Sequence, residues 1–291
     1  MFLKRLFSTV VLLGVLSAVI FAPAPWNYIV FFLLSVLLTF ALVREICGMV
    51  KNLGMETFMD LTALFCALIV IIANLEYSLL DSELTSVLYN ILLFAVAIGV
   101  PLFILFSKNS GDKIKKLFNS MAISIFALIP VLLIVGIFVS GTESSASAHE
   151  FNSYFLVFIL LTKIGDIGAY VVGTVSNKLM KNGNHKMIPS LSPKKSWEGA
   201  AGGLIFTLLL AFGFHYWIPK LAVIETVPLT ITMAVCMFFG SMAGDLMESA
   251  LKRAAGVKDS GNTIPGIGGV FDLVDSLFVT APVAAVIFAS I

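Results

Sequence analysis

Gly240-Ser-Met-Ala-Gly-Asp-Leu-Met-Glu-Ser-Ala-Leu-Lys-Arg253, then Ala-Ala-Gly-Val-Lys-Asp-Ser260, then Gly-Asn-Thr-Ile-Pro-Gly-Ile-Gly-Gly-Val270 and Phe-Asp-Leu-Val-Asp-Ser276 form the stretch that decides how the chain is read. It holds five acids (Asp245, Glu248, Asp259, Asp272, Asp275) and three bases (Lys252, Arg253, Lys258) in a chain of 291 residues that is 59% hydrophobic and only 12% charged. A soluble domain carries roughly 25% charged residues. With a mean hydropathy of +1.04, the chain reads as an all-α, polytopic integral membrane protein, and this concentration of charge needs a chemical reason.

The spacing supplies part of one. Asp245, Glu248, Ser249 and Lys252 are three, four and seven residues apart, so a helix puts them on one face. Asp272 and Asp275 repeat the three-residue spacing on the next helix. Between the two lies Pro265-Gly-Ile-Gly-Gly269, a loop that lets backbone approach a ligand and leads into a helix N-terminus. Paired carboxylates without nearby histidine or cysteine suit a hard cation such as Mg²⁺, which takes oxygen ligands and shares them with phosphates. The plain alternative is a salt-bridged helix–loop–helix with solvated charges, which contributes little to stability.

Outward from this stretch, nine apolar runs are long enough to cross about 30 Å of hydrocarbon: 7–24, 27–43, 59–80, 85–106, 117–139, 151–172, 200–218, 228–244 and 270–290. The first, behind Lys4 and Arg5, reads as a retained helix rather than a cleaved signal peptide. Basic residues alternate between loops: Lys4 and Arg5; Arg44 and Lys51; Lys108, Lys113, Lys115 and Lys116; Lys178 to Lys195; Lys252, Arg253 and Lys258. The intervening loops hold only Lys220. By the positive-inside rule the N-terminus is cytoplasmic and the C-terminus outside. Residues 1–140 read as anchoring and packing helices and residues 151–291 as the catalytic region, in a bacterial-type inner membrane with the site on the cytoplasmic side. Cys47, Cys66 and Cys236 are scattered in apolar runs and read as small hydrophobes. His149, His185 and His215 have no nucleophile partner, and no basic tail points to nucleic acid.

Two further groups stand out. Lys163 and Asp166 lie inside a span, where a charge costs at least about 2.5 kcal/mol. They either neutralise one another or line a polar cavity, and Gly165, Gly168 and Gly173 on the same helix favour the cavity by allowing close approach. The loop Ser192-Pro-Lys194-Lys195-Ser-Trp197-Glu198-Gly199 sets adjacent lysines ahead of a helix start, a receptor for polyphosphate. Trp197 either stacks on a base or anchors the loop at the interface.

These motifs together resemble the CDP-diacylglycerol synthases (phosphatidate cytidylyltransferases). The resemblance rests on Ser249-x-x-Lys252-Arg253, Lys258-Asp259-Ser260, Pro265-Gly266-x-Gly268-Gly269, Asp272 and Asp275. It also rests on Asp166-x-x-Ala169-Tyr170-x-x-Gly173 and the Ser-Pro-Lys-Lys-Ser-Trp-Glu-Gly run. Two positions depart from that pattern: Ile267 where a histidine is common, and Leu273 where an arginine commonly follows the aspartate. The resemblance implies transfer of a cytidylyl group from CTP to phosphatidate, with release of pyrophosphate. In that reading Asp245 and Asp275, helped by Glu248 and Asp272, hold Mg²⁺. A second, monovalent cation stays open, as does a homodimer. Lys194, Lys195, Lys252, Arg253 and Lys258 neutralise the triphosphate, with Asp259 beside them. Ser192, Ser249 and the backbone of Gly268 and Gly269 donate hydrogen bonds. Lys163, Asp166, Tyr170, Trp197 and Glu198 line the substrate cavity. The rival readings are a secondary transporter with a charged midplane site, and a cytidylyltransferase for another lipid phosphate.

Overall fold

Hydrocarbon offers no partner to a bare N–H or C=O group, so long apolar runs fold as helices. The computed structural model of the protein describes residues 2–79, 110–145, 151–218 and 221–289. Its helices are α1 (Phe2–Phe21), α2 (Trp26–Asn52), α3 (Met59–Leu79), α4 (Ser110–Ser145), α5 (Ser153–Leu179), α6 (Trp197–Trp217), α7 (Val227–Ala254) and α8 (Phe271–Ala289). Seven of them are long and apolar enough to cross a membrane, while the apolar part of α3 is shorter, at Met59–Leu75. Eight of the nine apolar runs fall on these helices. The run 85–106 lies outside the described residues, as do Lys108, His149 and Lys220.

The all-α expectation needs one addition. Lys186–Ile188 (β1) and Ser192–Ser196 (β2) pair as an antiparallel hairpin, with Lys186 opposite Ser196 and Ile188 opposite Ser192. Pro193 blocks a helix here. The hairpin ends where the Trp197 N–H donates to the His185 carbonyl (3.0 Å) and the Ser196 hydroxyl caps α6 by accepting from the Gly199 N–H at 3.1 Å.

The chain divides into two compact units: residues 1–135 with 254–273, and residues 136–253 with 274–291. In the first unit, Val43, Ile46 and Cys47 of α2 and Ala63, Cys66 and Val70 of α3 are buried. The Ser120 hydroxyl accepts from the Phe58 N–H at 3.0 Å, and Arg44 pairs with Asp60 at 3.2 Å. The Ser8 hydroxyl of α1 donates to the Pro265 carbonyl at 2.7 Å. Gly266, at φ +79°, packs so closely on α1 that a Cβ would lie 2.7 Å from the Arg5 nitrogen.

In the second unit, buried Asn152 caps α5 by accepting from the Phe155 N–H (3.0 Å) and donates to the Phe138 carbonyl at 2.7 Å. Helices α5 and α6 meet through glycine. A Cβ on Gly203 would fall 2.6 Å from the Gly165 carbonyl, and one on Gly168 would fall 2.7 Å from Phe206. Bare backbone there substitutes for side-chain packing, as small residues do between membrane helices. This leaves the polar face of α5 close to α6 and to the hairpin.

Candidate active site

In the second unit, the charged residues of α5, the hairpin, α7 and α8 converge. Asp166, Tyr170, Lys194, Lys195 and Asp245 line a cavity of about 200 Å³, floored by Gly165 and Phe238. Lys195 reaches from β2 to the Asp245 carboxylate (3.1 Å) and donates to the Met242 carbonyl at 3.3 Å. The buried Ser241 hydroxyl, one turn before Asp245, donates to Asp166 at 3.3 Å. Lys163 donates to the fully buried Ser276 hydroxyl at 2.6 Å and stands 3.8 Å from Asp275, whose carboxylate also accepts from the Ser276 N–H. The negative charge of Asp245 acts on both Asp166 and Asp275. Close approach of α8 to α7 is possible because position 244 is glycine, where a Cβ would run into the Asp275 carbonyl.

The cavity is lined by two carboxylates, Asp166 and Asp245, and two ammonium groups, Lys194 and Lys195, with the Lys163–Asp275 pair linking α5 to α8. Lysine is a compact, mobile point charge. Each ammonium group now facing a carboxylate can therefore turn to a phosphate when one enters. Among the described residues no three His, Cys, Asp or Glu side chains stand together as a ready-made metal site. The donor set is nevertheless all oxygen, and Mg²⁺ ordinarily takes one or two carboxylates and fills its shell from phosphates and water. Asp245 and Asp275 fit that pattern.

The other sequence-predicted residues fall in several places. Glu248 is buried and paired with Lys252 at 2.7 Å. Ser249 is half-buried on the same helix, and Arg253 is exposed. Glu198 accepts from the His185 N–H and meets the His185 ring at 2.6 Å, so it straps the hairpin to the start of α6. Ser192 is half-buried at the start of β2, and Trp197 is 62% exposed at the first residue of α6.

Asp272, Gly268 and Gly269 belong to the first unit, as do the exposed Lys258 and Asp259. One Asp272 carboxylate oxygen accepts from the Ser260 N–H (3.0 Å), the Ser260 hydroxyl (2.9 Å) and the Gly269 N–H (2.8 Å). The Gly268 N–H donates to the Ile264 carbonyl at 3.1 Å. The N–H groups expected to face phosphate are thus engaged within the loop itself.

Three residues escaped the sequence reading. Ser241 and Ser276 position Asp166 and Asp275; their signal was a hydroxyl beside a charged residue in an apolar helix. Glu45 accepts four hydrogen bonds in the first unit, from Thr263 (2.5 Å), Ser260 (3.1 Å) and the N–H groups of Val270 and Phe271 (both 2.9 Å). It lies just past the apolar run 27–43, beside Arg44, and nothing local in the sequence marks its partners.

The chain is similar in sequence to curated phosphatidate cytidylyltransferases. A phosphatidate cytidylyltransferase of Haemophilus influenzae is 44% identical over 127 residues, 43% of this chain and 42% of the relative. One from Thermotoga maritima is 31% identical over 191 residues, 64% of this chain and 65% of the relative. Both matches span less than two thirds of the relative's length. One from Bacillus subtilis is 31% identical over 278 residues, 94% of each chain. The sequence profile described as the Cytidylyltransferase family matches residues 3–291, and the chain belongs to that family.

Proposed function

We propose that the protein transfers the cytidylyl group of CTP to phosphatidate, forming CDP-diacylglycerol and pyrophosphate. The observation that carries this reading furthest is the cavity in which Lys195 faces Asp245 and Lys194 stands beside it. The names of the relatives supply the substrates. A phosphate monoester has a second pKa near 6, so the attacking lipid oxygen is anionic at neutral pH and needs no strong general base. That oxygen forms a bond to the α-phosphorus of CTP as the bond from that phosphorus to the β-phosphate oxygen breaks. The electron pair leaves with pyrophosphate.

The obstacle is repulsion between two polyanions. Lys194 and Lys195 bind the triphosphate and offset its charge, and Lys163 keeps the Asp275 end of the site neutral enough to receive a phosphate. Asp245 and Asp275, helped by Glu248, would hold Mg²⁺, each giving up a lysine partner to do so, whereas Asp272 is held by N–H and O–H donors of its own segment. When bound, the ion polarises phosphoryl oxygens and offsets charge that develops in the transition state. Tyr170, 74% exposed at the cavity, borders the side where a lipid head group enters from the bilayer.

The same reading has the chain cross a bacterial inner membrane nine times, with the site on the cytoplasmic side where CTP is supplied. The test is pyrophosphate release by purified protein in detergent, with CTP and phosphatidate, with and without Mg²⁺. Release that requires both substrates and the metal is expected. No release with any lipid phosphate would overturn the reading, and release only with another lipid acceptor would change the substrate.

A further inference from the structure

A buried carboxylate is costly unless donors converge on it. Glu45, 9% exposed in α2, has four. One oxygen accepts from the Thr263 hydroxyl and the Val270 N–H; the other accepts from the Phe271 N–H and shares the single Ser260 hydroxyl proton with Asp272. Val270 and Phe271 open α8, so Glu45 caps the positive end of a helix that begins 226 residues later in the chain. Helix caps are ordinarily local, from a Ser, Thr, Asp or Asn at the N-cap position. Here the cap also holds Ser260 and Thr263, so one group fixes both ends of the Ser260–Phe271 segment.

The segment is built around this carboxylate. A Cβ on Gly261 would lie 2.6 Å from one Glu45 oxygen, and a Cβ on Gly269 would collide with the other oxygen and with Ser260. Two glycines of the segment are therefore there to admit Glu45. Immediately before Ser260 stand Lys258 and Asp259, both exposed and both part of the family resemblance.

We infer that Glu45 is a positioning residue for the cytidylyl transfer: it fixes the Ser260–Phe271 segment and through it the backbone that presents Lys258 and Asp259. This inference rests on the proposed function. It requires an acceptor on both oxygens. Gln turns one of them into an NH₂ group facing donors, whereas Asp keeps both acceptors on a stem one methylene shorter.

The test compares full-length wild type, Glu45→Gln, Glu45→Asp and Thr263→Val in detergent. It reads kcat, the KM for CTP, and hydrogen exchange in the peptide 260–271. Glu45→Gln is expected to lose about tenfold or more in kcat, to shift KM less than about twofold, and to exchange faster in that peptide. Glu45→Asp is expected to regain part of the kcat. Thr263→Val, which deletes one donor and preserves shape, is expected to lower kcat about threefold at unchanged KM. Faster exchange with wild-type kcat would overturn the inference by leaving only a structural role. Reduced kcat with unchanged exchange would overturn it too. If Glu45→Gln does not fold, Thr263→Val decides, and an unchanged kcat there overturns the inference. A wild-type protein without turnover would overturn the proposed function instead, while the exchange data would still report whether Glu45 holds the segment.

Discussion

In the second unit, Asp245 faces the ammonium group of Lys195 in the cavity and Asp275 stands near that of Lys163; in the glycine-rich segment, Asp272 and Glu45 face N–H and O–H groups of the loop itself. Residue types and sequence motif are shared, yet the two sets are suited to different work. A carboxylate opposite a mobile lysine can exchange that partner for a cation while the lysine turns to a phosphate. A carboxylate that accepts from backbone N–H groups cannot let go without unfolding a turn, because those donors have nowhere else to bond. Partners, rather than residue types, separate chemistry from scaffold.

The comparison breaks most readily at Asp245. Asp245→Asn is expected to lower kcat by about 10²- to 10³-fold while the protein still inserts and elutes as wild type. Near-normal turnover would place Asp245 with the scaffold. Lys195→Ala comes next, with a loss of about ten- to a hundredfold in kcat/KM, read by steady-state kinetics over a range of CTP. An unchanged KM for CTP would argue that Lys195 serves only to neutralise Asp245.

Asp272→Ala sharpens the other side. It removes the acceptor of three donors and is expected to cost about 1–3 kcal/mol of stability, seen as a lower thermal midpoint in detergent. Loss of activity without loss of stability would return Asp272 to the metal site. The smallest effect belongs to Glu56. Lys116 beside it holds its carboxyl below the usual range, so what the pair contributes is present above the ordinary Glu pKa and is lost as pH falls through the lowered value. The pair is exposed. Glu56→Gln is therefore expected to leave turnover unchanged, and a loss of turnover would show that the loop does more than pair charges.

Much of this was legible in the residues. Helices that must satisfy their own backbone in hydrocarbon announce themselves as apolar runs. Charge that survives in such runs, as at Lys163, Asp166 and Asp245, marks the cavity. The hairpin was not legible, because five residues with a proline carry no period that distinguishes strand from loop. Glu45 was not legible either: its partners Ser260 and Phe271 lie 215 and 226 residues away, and local pattern holds no trace of a contact that distant. The partners of the Gly268 and Gly269 N–H groups were hidden as well. A glycine that admits a ligand and one that admits a neighbouring carboxylate look alike in sequence.

The self-contained hydrogen bonding of the Ser260–Phe271 segment bears on binding thermodynamics. A loop that waits for phosphate to become ordered loses conformational freedom on binding, of order 1 kcal/mol per residue. This one is already ordered by Asp272 and Glu45. The ordering entropy of this segment is therefore met when the chain folds and is not left to any later event.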